Sequence, residues 1–289
     1  MRLNDEHESG NLEDRRGMSM LGGRAGGIGI GTNALSLVAM YFGVDPSVVL
    51  SMEQGLRQGI AQVEALPMPQ NDPDAKFVAK LLASTEDTWC MLFQASGQEY
   101  PAPILVLFRG QTQTACESGQ AAAVPFYCPG DQKVYIDLSF YQEMEDRFHA
   151  LGDFSQAYVT ANEVGHHIQN LQGISDKVQK ARENARNKAE SNQYSVQLEL
   201  QADCYAGVRA MHADGDNRVL EADDVEEAMT AAPANGDDAL QKQAQGYAVP
   251  DSFALGASQR LMNWFNRGLT MGNIKKYDTF SVTSLLASS

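Results

Sequence analysis

The spacing of apolar residues predicts a helix over residues 154–171 that has one apolar and one polar face. The apolar face is formed by Ala157, Ala161, Val164, Ile168 and Leu171. The polar face is formed by Asn162, Glu163, His166, His167 and Asn170. The carboxylate and both imidazoles of the segment are therefore expected on one side of the helix.

The patterns on either side of this helix are typical of an α+β domain. Residues 72–93 space their apolar side chains with a helical period and predict a buried helix. Residues 103–108 (PILVLF) and 133–138 (KVYIDL) are rich in β-forming side chains and predict two strands of one sheet. We therefore expect a small sheet packed on helix 154–171, followed by a mostly helical C-terminal half.

The N-terminal part of the chain has a different composition. Residues 1–24 are polar and rich in glycine, which predicts a flexible tail. Residues 25–44 contain no charged side chain and have the length of a bilayer crossing, so they predict a transmembrane anchor. The alternative is a glycine-rich linker that leads into an amphipathic helix at about 33–43. Residues 45–71 then form a linker or helix before a domain that spans 72–282.

The charge of the chain restricts its partners. It carries 22 Lys and Arg against 37 Asp and Glu, a net charge of -15. A surface of this sign repels phosphate backbones, so we expect no nucleic-acid partner. The hydrophobic content of 43% is sufficient for a full core.

Cysteine is sparse, with 4 residues and no C-x-x-C pair, which argues against a zinc site built from thiolates. Cys116 and Cys128 both lie in the loop between the two predicted strands. They predict a disulfide if the domain faces an oxidising compartment. The alternative is a pair of unrelated thiols.

Residues 162–166 read Asn-Glu-Val-Gly-His, one letter away from the H-E-x-x-H motif of zinc peptidases. In that motif, residues four apart lie one helical turn apart and ligate zinc, and the glutamate between them accepts a proton from metal-bound water. Asn162 and His166 occupy the two ligand positions, and Glu163 occupies the position of the general base.

A second helix, expected at about 191–210, carries two more acidic residues one turn apart. Glu199 could supply a third zinc ligand, and Asp203 could orient an imidazole from outside the ligand set.

Position 162 is the weak point of this pattern. A neutral amide oxygen is a poor zinc ligand compared with an imidazole, so affinity for zinc should fall steeply. His167 lies about 140° around the helix from Asn162 and cannot replace it unless the helix rotates. We expect His167 to be a hydrogen-bonded residue behind the site or a surface histidine.

Six segments occur in the order found in a known bacterial family. They are LEDRRG, STEDTW, PFYCPGDQKVYIDLSF, GDFSQAYVTANEVGHHIQN, ELQADCYAG and VPDSFALGASQR. On these segments the chain resembles the putative neutral zinc metallopeptidases. The resemblance implies a zincin-like metallopeptidase domain behind an N-terminal membrane anchor, with Zn²⁺ held by the His-Glu-x-x-His motif and a downstream glutamate. It favours the anchor over the linker for residues 25–44.

The chain departs from the family pattern at three positions. Asn162 replaces the first ligand histidine, and Leu255 replaces the histidine of a Thr-His-Gly loop. A histidine near such a site commonly stabilises the oxyanion, so its loss weakens catalysis. Tyr277 stands where the family usually has cysteine, which leaves Cys204 as a small buried thiol.

These features predict a metallopeptidase-like protein of the cell envelope with impaired or lost catalysis. Its main domain would be periplasmic or extracytoplasmic, attached to the membrane through residues 25–44. A peptide or protein ligand would lie in the groove. The alternative is an active zinc-dependent endopeptidase with Glu163 as general base.

Overall fold

The computed structural model describes residues 1–3, 6–17, 72–110, 112–116, 125–141, 153–217, 236–238, 241, 247–274 and 279–280. These residues form a mixed sheet covered by helices, an α+β arrangement as predicted.

The sheet has four strands in the order β1-β2-β4-β3. The strands are β1 (Leu12–Asp14), β2 (Ile104–Phe108), β3 (Phe126–Cys128) and β4 (Lys133–Asp137). β1, β2 and β4 are parallel, and β3 pairs antiparallel with β4. The two strands predicted from the sequence are therefore adjacent, as expected, and β3 forms one edge.

The central strands are apolar because both of their faces are covered. Leu105 pairs with Val134 and Leu107 with Ile136, and all four side chains are fully buried. A fully buried side chain of this kind stabilises the fold by about 1.5–3 kcal/mol.

The helices frame the sheet and supply most of the described C-terminal half. They are α1 (Pro73–Gln94), α2 (Asp153–Leu171), α3 (Ile174–Glu183), α4 (Lys188–Asn217) and α5 (Ser258–Met271). α2 agrees with the predicted helix 154–171 to within one residue. The helix predicted at about 191–210 corresponds to α4. The observed helix is longer at both ends, because it continues past the site and packs along α5.

The apolar face of α2 packs as predicted. Its residues belong to the main core together with β2, β4, α1 and α4. Ala157, Ala161, Val164 and Ile168 are at most 3% exposed, and Leu171 is partly buried against the same core. The polar face is thereby fixed toward α3 and α4.

Glycine allows α2 and α4 to approach closely. A Cβ at Gly165 would lie 2.9 Å from the carbonyl oxygen of Ala202, closer than real Cβ contacts allow. This contact lies between Asn162 and His166 on α2 and beside Asp203 on α4. The spacing of the two site helices is therefore set by backbone packing.

The prediction of a flexible tail over residues 1–24 is wrong for the residues that the structure describes there. β1 pairs with β2, and Met1–Arg15 belongs to the same compact unit as Gln70–Ser289. Leu3 is 5% exposed in the main core. At the surface, Glu13 forms ion pairs with Arg15 and Lys133 at 2.7 and 2.8 Å. The polar side chains of this segment thus contact the folded domain instead of forming a flexible tail.

Three sequence predictions lie outside the described residues. They are the membrane anchor at 25–44, the linker or helix at 45–71, and the role of Tyr277. No helix among the described residues is long and apolar enough to span a bilayer.

Candidate functional site

The polar face of α2 opens onto a cavity of about 740 Å³. Its walls come from α2, α3, α4, β3 and the loop before α5. The cavity brings together the residues predicted for the site. They are Asn162, Glu163, His166, Glu199 and Asp203.

His166 and Glu199 meet directly between the two helices. The Nε2 atom of His166 lies 3.3 Å from a carboxylate oxygen of Glu199, as the sequence predicted. On its other side, Nδ1 lies 2.9 Å from the side-chain oxygen of Gln169. The amide nitrogen of Gln169 is held by the carbonyl oxygen of Leu198, so Nδ1 donates and Nε2 faces Glu199.

The charge of this pair follows from its surroundings. Burial alone would lower the pKa of His166, but the Glu199 carboxylate outweighs it and raises that pKa to about 10. The contact with Glu199 therefore favours the protonated form of His166.

Asn162 uses its amide group on a different partner. Its side-chain nitrogen donates a hydrogen bond of 2.8 Å to Oδ1 of Asp203, and the hydroxyl of Tyr158 donates to the same oxygen. Asp203 was predicted to orient an imidazole from outside the ligand set. In this chain it orients an amide.

Asp203 is almost fully enclosed, with 1% of its surface exposed. Its second oxygen, Oδ2, is buried and has no hydrogen-bond partner among the described residues. Burial raises the pKa of Asp203 to about 7, although the hydrogen bonds from Tyr158 and Asn162 act in the opposite direction.

Glu163 lies half-buried in the cavity next to the edge strand β3. Burial raises the pKa of its carboxyl to about 8, while His166 and the backbone N–H of Tyr127 act to lower it. A carboxyl with a pKa near neutrality can exchange a proton with a bound molecule, which is the property expected of a general base.

His167 does not reach the site. It is 1% exposed and points away from the cavity, with Nε2 donating to the carbonyl oxygen of Pro101 at 2.7 Å. Its Nδ1 lies 3.0 Å from the hydroxyl of Tyr127 and accepts from it. Burial lowers the pKa of His167, so it is neutral. It is hydrogen-bonded, as expected, and its place is in the core instead of on the surface.

The loop that replaces Thr-His-Gly reaches the cavity through Leu255. A single carboxylate oxygen of Asp237 accepts hydrogen bonds from the backbone N–H groups of Ala254, Leu255 and Gly256, at 2.7, 2.6 and 2.8 Å. Gly256 has a φ of 111°, which favours glycine. An apolar side chain therefore lines the cavity at the position where the resemblance predicts an imidazole.

The predicted disulfide is present. Cys116 and Cys128 are bonded, with their Cα atoms 5.8 Å apart. The bond ties the loop after β2 to the end of β3, next to the cavity wall at Tyr127 and Pro129. Cys204 is a free buried thiol, as expected.

The structure thus brings Glu163 and His166 of one helix beside Glu199 of a second helix, in one cavity. The chain belongs to the family described as putative neutral zinc metallopeptidase, which matches residues 1–280.

Several relatives are similar over nearly the full length. "Uncharacterized protein YpfJ" of Escherichia coli (strain K12) is 46% identical over 288 residues, covering 97% of this chain and 99% of the relative. "Uncharacterized protein Rv2575" of Mycobacterium tuberculosis (strain ATCC 25618 / H37Rv) is 34% identical over 259 residues, covering 86% of each chain. No solved structure matches the chain.

The family implies Zn²⁺, and the side chains at the site do not fit it well. A catalytic zinc takes three protein ligands, usually imidazole, thiolate or carboxylate. His166 and Glu199 qualify, but Asn162 turns an N–H group to Asp203 and offers a neutral oxygen at most. Among the described residues, His166 does not belong to any group of three His, Cys, Asp or Glu residues whose ligand atoms all lie within 4.8 Å of one another.

Three further residues shape the site and were not predicted. Tyr158 holds Asp203, Gln169 holds His166, and Tyr127 brings the edge strand to Glu163. Tyr158 precedes Asn162 by four residues, so helical spacing could have placed it on the same face. Nothing in the sequence pattern identifies the partners of Gln169 or Tyr127, because those contacts join distant segments.

Proposed function

We propose that this chain is a cell-envelope member of the zinc metallopeptidase family whose metal centre and peptidase activity are impaired. It holds a peptide or protein ligand in the cavity beside Glu163. The observation that carries the proposal is the 2.8 Å hydrogen bond by which Asn162 donates to Asp203.

This hydrogen bond matters because it fixes the direction of the amide. Because the amide nitrogen of Asn162 donates to Asp203, only its amide oxygen is left as a weak metal ligand. The family pattern has an imidazole at this position. Zinc prefers nitrogen and thiolate ligands to a neutral amide oxygen, so affinity should be far below that of an intact motif.

Leu255 supports the same conclusion from another element. Its side chain lines the cavity at the position where the family pattern has a histidine. An aliphatic group donates no hydrogen bond to a developing oxyanion, a contribution that is worth roughly 10²–10³ in rate where it has been removed in other enzymes. Two independent changes therefore act against catalysis.

The disulfide favours an oxidising compartment. Bonds of this kind persist outside the cytoplasm and are rare within it. Together with the uncharged segment at residues 25–44, the bond between Cys116 and Cys128 supports a periplasmic or extracytoplasmic domain that is attached to the membrane.

The test is the zinc content of the purified protein, measured by elemental analysis beside an Asn162→His variant. We expect well below one zinc per chain for the unchanged protein and close to one for the variant. Peptidase activity on casein should be absent in the unchanged protein and low in the variant. An Asn162→His, Leu255→His double variant should cleave casein faster than the single variant.

The control is Asn263→His, which makes the same change at an exposed position of α5. It should leave the zinc content unchanged. If the unchanged protein instead carries one tightly held zinc and cleaves casein in a chelator-sensitive way, the proposal is wrong and the chain is an active endopeptidase with Glu163 as base.

A further inference from the structure

Apolar side chains surround the cavity of the candidate site. They come from the segment after β4, from helices α2, α3, α4 and α5, and from the loop before α5. In that order, they are Phe140, Val159, Val178, Leu198, Leu261 and Leu255. Phe140, Leu198 and Leu255 are half-buried, so part of each side chain is open to a ligand. An apolar group in the cavity would therefore be contacted from several sides.

The position of Leu255 in this wall is fixed by its backbone. The carboxylate of Asp237 accepts hydrogen bonds from the N–H groups of residues 254–256. The next residue, Gly256, packs against α4, where a Cβ built on it would lie 3.2 Å from Cγ1 of Val196. Leu255 thus presents a preformed apolar surface, and a ligand that binds there does not have to order this loop.

The charged side chains of the cavity have partners inside the protein. Nε2 of His166 lies 3.3 Å from a carboxylate oxygen of Glu199. Asp203 is 1% exposed and accepts two hydrogen bonds at Oδ1. Glu163 meets the backbone N–H of Tyr127. The surface that these residues leave open to a ligand is therefore mainly apolar.

Size and charge favour the side chain of a peptide over other apolar ligands. A cavity of about 740 Å³ lies within the usual range of ligand pockets and has room for a bulky side chain with its flanking backbone. The net charge of -15 repels anionic amphiphiles such as fatty acids. Asp176 and Arg182, at exposed positions of α3 beside the cavity, carry opposite charges and add no net charge.

We propose that the cavity selects peptides with a bulky aliphatic side chain, and that Leu255 is the residue that determines this preference. This inference rests on the proposed function, because it names the class of peptide that the cavity would hold. A leucine-sized side chain gains from leaving water for such walls. A polar side chain of the same size would lose its hydration there without a matching hydrogen bond.

The test uses three blocked pentapeptides that carry no terminal charge. They are acetyl-Ala-Ala-Leu-Ala-Ala-amide, the same peptide with Asn in place of Leu, and the same peptide with Lys. Binding to chelator-treated protein is measured by titration calorimetry. We expect the Leu peptide to bind at least about tenfold more tightly than the Asn peptide, whose side chain has a similar shape. The Lys peptide should bind no more tightly than the Asn peptide.

The variant Leu255→Asn replaces the apolar wall with a polar group of similar size. It should weaken binding of the Leu peptide by about tenfold and change binding of the Asn peptide by less than about threefold. Leu255→Ala, which only shortens the side chain, should weaken binding of the Leu peptide by about fivefold. The matched control is Ile104→Asn, at a 37% exposed position of β2 outside the cavity, which should leave all three affinities unchanged. Circular dichroism shows that the variants are folded.

The inference is overturned by equal binding of the Leu and Asn peptides, by tightest binding of the Lys peptide, or by no binding of any of the three. Equal losses in Leu255→Asn and Ile104→Asn would also overturn it. Zinc content, measured before the chelator is added, tests the proposed function separately. A chain purified with one tightly held zinc contradicts the proposed function, whereas a zinc-free chain that does not prefer the Leu peptide contradicts the present inference alone.

Discussion

Among single residues, Tyr158 holds the site through its hydrogen bond to Asp203. Its hydroxyl and the amide of Asn162 donate to the same oxygen of Asp203, and all three side chains line the cavity. Tyr158 is 3% exposed, so its hydrogen bond is made in a largely buried environment. The position of Asp203, and through it that of Asn162, therefore depends on this hydroxyl.

Replacing Tyr158 with phenylalanine should lower the free energy of unfolding by about 2 kcal/mol, because a buried carboxyl loses a donor. The matched control is Tyr141→Phe, whose hydroxyl shares a hydrogen bond of 3.0 Å with the neutral hydroxyl of Thr160. There we expect a loss of about 1 kcal/mol. Urea unfolding at neutral pH measures both, and equal losses would contradict the role given to Asp203.

At the scale of elements, the crossing of α2 over α4 positions Glu199 and Asp203. Gly165 allows this crossing because it has no Cβ to meet the backbone at Ala202. Around Gly165 the two faces that meet are apolar or small, and they pack into the main core. The site geometry is accordingly a property of helix packing.

The variant Gly165→Ala should lower the free energy of unfolding by about 2 kcal/mol, because the added methyl group forces the helices apart. Gly215→Ala is the control, since a Cβ at this exposed position of α4 meets no atom within 4 Å. It should be neutral or stabilise by about 0.5 kcal/mol through helix propensity. A tolerated Gly165→Ala, measured in the same unfolding experiment, would show that the helix spacing can adjust.

The N-terminal segment that carries β1 is held by burial and by charge. The burial of Leu3 contributes more than the surface ion pairs do, since a buried Leu is worth about 1.5–3 kcal/mol and an exposed pair about 0–1 kcal/mol. Hydrogen bonds with Arg15 and Lys133 lower the pKa of Glu13 from 4.5 to about 2. A carboxyl whose pKa is depressed in the folded state stabilises the fold above its unfolded pKa and loses that effect as the pH falls.

We therefore expect Glu13→Gln to lower the free energy of unfolding by about 0.5–1 kcal/mol at pH 7, a modest value because the side chain is 36% exposed. The difference from the unchanged protein should shrink as the pH falls from about 4.5 toward about 2. Glu8→Gln, at an exposed position of the same segment, should have no effect at any pH. A difference that persists unchanged at low pH would contradict the ion-pair explanation.

Local periodicity predicted α1, α2, β2 and β4, because each of these elements buries a regular apolar pattern. It failed for β1, which has three residues of sequence Leu-Glu-Asp and pairs with a strand about ninety residues later. Polar side chains on a short edge strand give no alternating pattern, and the pairing is decided by tertiary contacts. His167 shows the same limit of local periodicity. A helical wheel places it on the polar face of α2, whereas in the structure Pro101 and Tyr127 enclose it.

For the whole molecule, the net charge of -15 makes the surface acidic and attracts basic ligands at long range. This property follows from the composition of the chain and could not be derived from the metal motif, because the motif describes only the ligands of an ion.

The pairing of β1 with β2 restricts how the chain can be inserted in a membrane. Hydrogen-bonded strands lie in one compartment, so residues 12–14 and 104–108 are on the same side of any bilayer. Residues 25–44 lie between them in sequence. The chain between the two strands therefore crosses a bilayer an even number of times or not at all. If residues 25–44 attach the protein to a membrane, the chain enters and leaves that membrane on the same side.

This parity can be measured with single cysteines at exposed positions, Glu8→Cys before the segment and Lys177→Cys after it. Both are made in a Cys90→Ser background, since Cys204 is buried and the other two cysteines are bonded. A membrane-impermeant maleimide applied to spheroplasts should label both positions or neither. Labelling of one alone would place the two ends of the segment in different compartments, where β1 and β2 could not share a sheet.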